Sequence, residues 1–165
     1  MLKPRLLHSE ILEALARASH SSKFLIADGN YPFATRLGPN ARLDLLNLSP
    51  VLVNTAQVLE AIVSAVPIEE ATVMEPVTSA PYALEKEASV WSDFQRILQA
   101  SGSSATLKKQ ERLAFFDAAK DHNFVLTIAT DQQRLYANLL IEIGVVFPES
   151  NRMIRNGAVA QERFP

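Results

Sequence analysis

One stretch near the start of the chain carries the residue types of acid–base chemistry. His20 follows a helical pattern, the apolar run Phe24, Leu25, Ile26, Ala27 comes after it, and Asp28-Gly29-Asn30 closes the run. Imidazole titrates nearest neutrality, and at the negative end of a helix dipole it holds its proton more readily, which suits a proton donor. A carboxylate and an amide directly after an apolar strand stand where open α/β sheets bind ligands, outside the carboxyl ends of their strands. Gly29 between them lets the backbone turn or approach a ligand closely. The same residues also fit roles without chemistry, Asp28 and Asn30 as turn formers and His20 as a helix-terminal cap. A metal-assisted reaction using His20 and Asp28 is a further reading.

Other chemistries lack their residues. The 165-residue chain has no cysteine, which removes disulfide frameworks, zinc ribbons, thiol catalysis and iron–sulfur clusters. Its five glycines, at 29, 38, 102, 144 and 157, form neither a G-x-G-x-x-G nor a P-loop, so a Rossmann-like sheet here need bind no nucleotide. H-E-x-x-H and G-x-S-x-G are missing, and His8, His20 and His122 lie far apart. The expectation is accordingly no metal and no cofactor. Sixteen Lys and Arg against 18 Asp and Glu, a formal charge of −2, leave no basic field for nucleic acid. No apolar run approaches the ~18 residues of a membrane span, and the charged opening residues 1–8 have no apolar stretch behind them, so the cytoplasm is the expected location.

Positioning such residues requires elements, and helical and extended patterns alternate along the chain. Ile11, Leu12, Leu15 and Ala16 share a helical face over residues 9–19, with Ser9 as N-cap and an end near His20. The run 24–27 reads as a central parallel strand buried on both faces. Val58, Leu59, Ile62, Val63 and Val66 give a second helix that Pro67 stops. A strand follows at 71–77, and Leu84, Ala88, Trp91, Phe94 and Leu98 mark a third helix over about 84–100, ended by Gly102. A short strand at 106–109, a helix at 111–121 and apolar, β-branched runs at 124–129 and 139–147 complete the pattern. Helices interleaved with buried strands predict an α/β sheet in one domain over 1–147. Residues 148–165, with Arg152, Arg155 and Arg163 among polar residues and breakers, form a polar extension.

Five pieces in order resemble the L-fucose mutarotase and D-ribose pyranase family. They are His20; the strand into Asp28-Gly29-Asn30-Tyr31-Pro32; Arg42-Leu43-Asp44; Arg112-Leu113-Ala114-Phe115-Phe116; and Tyr136-Ala137-Asn138 running into the apolar residues 139–145. The resemblance spans about residues 1–147 and implies a three-layer α/β/α domain with a mainly parallel sheet, assembled as a ring oligomer, commonly a decamer, with sites near subunit contacts. It implies that His20 is the proton donor and that Asp28, Arg112, Tyr136 and Asn138 bind a monosaccharide. Arginine at 112 places the chain nearer the fucose branch than the ribose branch. The chemistry agrees with the groups, since interconverting sugar anomers needs one proton delivered to the ring oxygen and another removed from the anomeric hydroxyl.

Three segments depart from the family pattern. Gly29 stands where alanine is usual, Thr130-Asp131-Gln132 replaces Thr-Gly-Glu, and residues 47–57 are less like the family. The second change bears on the loop before Tyr136 and Asn138, and it motivates an alternative, a sugar-binding or interaction protein that keeps the fold without turnover.

Overall fold

The structure is a computed structural model that describes residues 5–79 and 81–148. In chain order the elements are α1 (Ser9–Arg17), β1 (Lys23–Ala27), β2 (Arg42–Leu45), α2 (Thr55–Ile62), β3 (Ile68–Met74), α3 (Ser89–Ala100), β4 (Leu107–Gln110), α4 (Arg112–Ala118), β5 (Phe124–Ala129) and β6 (Leu139–Ile143). The expected polar extension lies, beyond Pro148, outside the described residues.

Successive side chains of a strand point to opposite faces, and β1 uses both. Phe24 and Ile26 join the larger core, with Ile11 and Leu15 of α1, Leu59 and Ile62 of α2, and Phe94 and Leu98 of α3. Leu25 and Ala27 join the smaller one, with Phe115 and Phe116 of α4. Three helices therefore cover one face of the sheet and α4 the other, so a strand with no polar alternation is buried on both sides.

The six strands run in the order β2-β5-β1-β6-β3-β4. β1 pairs in parallel with β5, β5 with β2, and β3 with β4, while β6 is antiparallel to both β1 and β3. Five strands thus share one direction, and the exception lies inside the sheet. Its cause is the connection: a parallel return from β5 would need a helical crossover, whereas residues 130–138 turn the chain straight back. This non-helical return across the carboxyl edge brings the start of β6 beside the end of β1.

Local capping explains where helices differ from their patterns. His8, rather than Ser9, caps α1, its Nδ1 accepting from the Ile11 N–H at 3.4 Å, and the helix ends at Arg17, short of His20. α2 begins earlier than its apolar stripe because Asn54 and Gln57 form a reciprocal capping box, each side chain accepting from the other's N–H at 2.9 Å. The short edge strand β2 was not expected from its half-exposed residues. It is tied to α1 through Arg42, which donates to buried Asp44 at 2.8 Å and to Glu13 at 3.2 Å.

Truncating Phe94, fully buried between α3 and the sheet, should cost about 3–5 kcal/mol. Gln99→Ala on the exposed side of the same helix should stay within about 0.5 kcal/mol. Urea unfolding followed by circular dichroism separates the two.

Candidate functional site

The turn after β1 is closed by its neighbours on both sides. Thr130, after β5, donates through its N–H and its hydroxyl to the Ala27 carbonyl at 3.0 and 2.8 Å, and the Gly29 N–H donates to the Gln132 carbonyl at 2.9 Å. Across β6, the Asp28 N–H donates to Asn138 Oδ1 at 2.9 Å, and Asn138 Nδ2 donates back to Asp28 Oδ2 at 2.8 Å. The Ala137 N–H adds a bond to Oδ2 at 3.3 Å, and the Asn30 N–H one to Oδ1 at 3.0 Å. Asp28 and Asn138, 110 residues apart, are both buried and hold one another in place.

Burial pushes the Asp28 carboxyl up from its ordinary 3.8 to about 6, against the lowering effect of the N–H groups of Asn30, Ala137 and Tyr31 and of the Asn138 amide. The result is an acid that exchanges its proton not far below neutrality. Oδ1 accepts from the Asn30 N–H, and a carboxylate oxygen has two lone pairs, so a sugar hydroxyl can also donate to it.

Tyr136 is fixed just as firmly. Its φ of 58° lies in the left-handed region, an unusual place for a bulky residue. Trp91 of α3 holds that turn by donating its indole N–H to the Tyr136 carbonyl at 3.0 Å. At the other end of the side chain, the hydroxyl donates to the Tyr82 carbonyl at 2.7 Å and accepts from the Val77 N–H at 3.2 Å. The ring thereby bridges the start of β6 and the segment after β3.

These residues surround a cleft of about 350 Å³ at the carboxyl ends of β1 and β3, lined by Asp28, Asn30, Tyr31, Pro32, Met74, Val77, Tyr82, Arg112, Phe116, Leu135, Tyr136 and Asn138. Four expected site residues, Asp28, Arg112, Tyr136 and Asn138, therefore share one cavity. The Arg112 guanidinium lies 5.5 Å from the Phe116 ring centroid, and Arg36 lies 5.3 Å from it. Phe116, part of the smaller core, is thus a cleft wall as well. Tyr31, Tyr82, Met74 and Leu135 are lining residues that sequence reasoning did not single out. Tyr31 was within reach, as the first aromatic after Asp28-Gly29-Asn30. Its hydroxyl is buried without a hydrogen-bond partner among the described residues, and burial pushes its pKa up to about 12.

His20 is not among the residues lining this cleft. It sits before β1, whose five residues at about 3.3 Å each separate it from Asp28 by roughly 17 Å or more. There its Nε2 meets Glu69 Oε2 at 2.8 Å, near the start of β3, with both side chains about half exposed. The helix ends at Arg17, three residues short of the expected end near His20, and β1 delivers Asp28 at its carboxyl end as the run 24–27 implied, so His20 and Asp28 stand at opposite ends of that strand. His8 likewise acts as a cap rather than as a merely solvated group.

The chain and its fold have counterparts among known proteins. The RbsD / FucU transport protein family matches residues 1–146. The fucose mutarotase of Homo sapiens is 34% identical over 155 residues, covering 87% of this chain and 92% of the relative. Among solved structures, the fucose mutarotase of Streptococcus pneumoniae in complex with L-fucose superposes with a TM-score of 0.71 at 21% identity, over 84% of this chain and 94% of that one. FucU from Bifidobacterium longum superposes with a TM-score of 0.72 at 27% identity, over 87% and 98%.

The raised Asp28 pKa has a thermodynamic consequence. The folded state binds this proton more tightly than the unfolded chain, so its stabilising contribution is full below about pH 4 and is lost as pH rises through about 6. Relative to Asp28→Asn, the wild type should lose about 2 kcal/mol of stability between pH 4.5 and 7.5. Urea titrations of both proteins at the two pH values measure this, and parallel curves would contradict it.

Proposed function

The chain belongs to the RbsD / FucU family, and on that premise we propose that it is a monosaccharide mutarotase, an isomerase interconverting the α and β anomers of L-fucose or a closely related sugar. The observation that carries this reading is a cleft of sugar size whose floor is a buried carboxyl able to exchange a proton near neutrality.

Opening a pyranose breaks the bond between the anomeric carbon and the ring oxygen. A proton is delivered to that oxygen, the anomeric hydroxyl loses one, and the aldehyde forms. Closing on the other face reverses each transfer. In this reading Asp28 accepts from a sugar hydroxyl and takes or returns a proton. Arg112 offers a fixed fork of donors, Asn138 orients Asp28, and Tyr31 and Phe116 present ring faces to the sugar's C–H groups. Nearby Met74, Val77 and Leu135 form an apolar side that suits the methyl group of a 6-deoxy sugar.

His20, as proton donor, serves the cleft of a neighbouring copy, because its own lies across the sheet. This requires the ring oligomer, decameric in the family pattern, to set the amino edge of one sheet against the carboxyl edge of the next. Exposed Leu52 and Leu113 supply apolar contact surface for such packing. The reaction needs neither metal nor cofactor, and the proposed location is the cytoplasm. No helix among the described residues is long and apolar enough to cross a membrane. The alternative of a fold without turnover rested on the loop Thr130-Asp131-Gln132. That loop still closes onto Ala27 and Gly29, and Tyr136 and Asn138 remain on the cleft, so the catalytic reading is preferred.

Exchange NMR on the sugar anomers tests the reading. Wild-type protein should accelerate exchange of L-fucose, about ten-fold more efficiently than of L-galactose, which adds a hydroxyl where the apolar side lies. His20→Gln and Asp28→Asn should each lower the rate by about 10²-fold or more; a wild-type rate in either variant would remove that residue from the mechanism. Binding without exchange would establish the non-catalytic alternative. Light scattering should give a mass several times 18.2 kDa, and a monomeric mass would end the proposal that His20 acts across a subunit contact.

A further inference from the structure

A second cavity, of about 310 Å³, opens at the carboxyl ends of β1 and β5. Asn30 borders both this cavity and the cleft, so the turn after β1 separates them as a shared wall. Its lining includes Gly29, Asn47, Ser49, Asp131 and Gln133, which together offer amides and a hydroxyl. Asp131 is the sole charged residue among those lining it, and each of its carboxylate oxygens accepts a backbone N–H, from Leu52 and Val53 at 3.2 and 3.1 Å. No cation lines the pocket, so phosphate and carboxylate ligands have nothing to neutralise them. A neutral polyol suits such a set of donors and acceptors.

The wall is held in shape. Besides the carboxylate bonds, the Asp131 carbonyl accepts from the Val51 N–H at 3.3 Å, and Val51 has a φ of 62°, a conformation that β-branched residues rarely adopt. The three segments where this sequence departs from its family pattern, at Gly29, around residues 47–57 and at 130–132, converge on this one pocket. A side-chain methyl at Gly29 would stand 3.4 Å from the Gln132 carbonyl oxygen, an ordinary contact, so glycine leaves space there without being required by the backbone.

We propose that the pocket is a second saccharide subsite: the reducing-end sugar occupies the cleft, and a neutral sugar attached to its non-reacting side extends past Asn30 into the amide-lined cavity. The proposal rests on the mutarotase reading and deepens it, making this chain an anomer exchanger for short reducing oligosaccharides as well as for free monosaccharides.

Two probes separate the possibilities, L-fucose and a galactosyl-fucose disaccharide with L-fucose at its reducing end. Anomer exchange is measured against concentration, and saturation-transfer NMR is read ring by ring. With wild-type protein the disaccharide should half-saturate exchange at about five-fold lower concentration than L-fucose, the worth of one or two added hydrogen bonds. Saturation should reach protons of both its rings. Gln133→Trp, which fills the pocket, should raise the disaccharide value about five-fold or more and remove transfer to the galactose ring, leaving L-fucose unchanged. Asn47→Ala is the milder variant if the larger one misfolds, and it should move the disaccharide value in the same direction. Equal half-saturation for the two sugars, transfer confined to the fucose ring, or variants that affect both sugars alike would overturn the subsite. If wild-type protein exchanged neither sugar, the mutarotase reading would fail, while galactose-ring transfer lost in Gln133→Trp would still identify the pocket.

Discussion

The reciprocal bonding of Asp28 and Asn138 is the contact on which the rest of the site depends. A buried carboxyl left without donors carries a desolvation penalty of several kcal/mol. Here three N–H donors from residues 30, 137 and 138 meet it, and two of the three come from the return segment before β6. The bonds therefore fix a side chain and also weld the end of one strand to the start of another. Removing either side chain costs the other a buried hydrogen bond, so binding surface and fold share the same atoms.

Two of the three non-glycine residues with positive φ among the described residues flank that weld, the third being Ser21 at the other end of β1. Tyr136 and Val51 adopt left-handed conformations on opposite sides of the turn after β1, one beside each cavity. Each is held by bonds from elsewhere in the chain: Tyr136 by the Trp91 indole and by its hydroxyl contacts around the segment 77–82, Val51 by Asp131. Strained residues persist where their surroundings over-determine them, and such places are commonly ligand sites. The large helix α3 thus does more than cover the sheet, since Trp91 fixes the turn that presents Tyr136.

Much of this was legible in the sequence, for definite reasons. The run 24–27 is apolar at every position because it is buried on both faces, and Asp28 breaks it at the carboxyl edge, so strand and ligand end could be read together. Four of the five expected site residues were placed by their match to a family pattern, and the cleft unites them. What could not be read depends on partners distant in the chain. The direction of β6 is set by the absence of a helix in residues 130–138, which an apolar run alone does not disclose. β2 is too short and too exposed to show period-two burial. The place of His20 relative to the cleft was not legible, because the eight positions between it and Asp28 are spent on a strand running from one end of the sheet to the other.

The strand order also dictates when the protein can become itself. β1 lies at the centre of the sheet, but both its partners, β5 and β6, come from the last part of the described chain, and β2 pairs with β5 alone. Until residue 124 exists, the only strand pair available is β3 with β4. A growing chain therefore carries this strand, buried on both faces in the finished fold, unpaired through most of synthesis, and the pairings that rescue it span about a hundred residues, the kind that form slowly. The segment that completes the cleft is also the segment that completes the sheet, so a chain cut short before Asn138 loses its pocket and its foldability in one stroke.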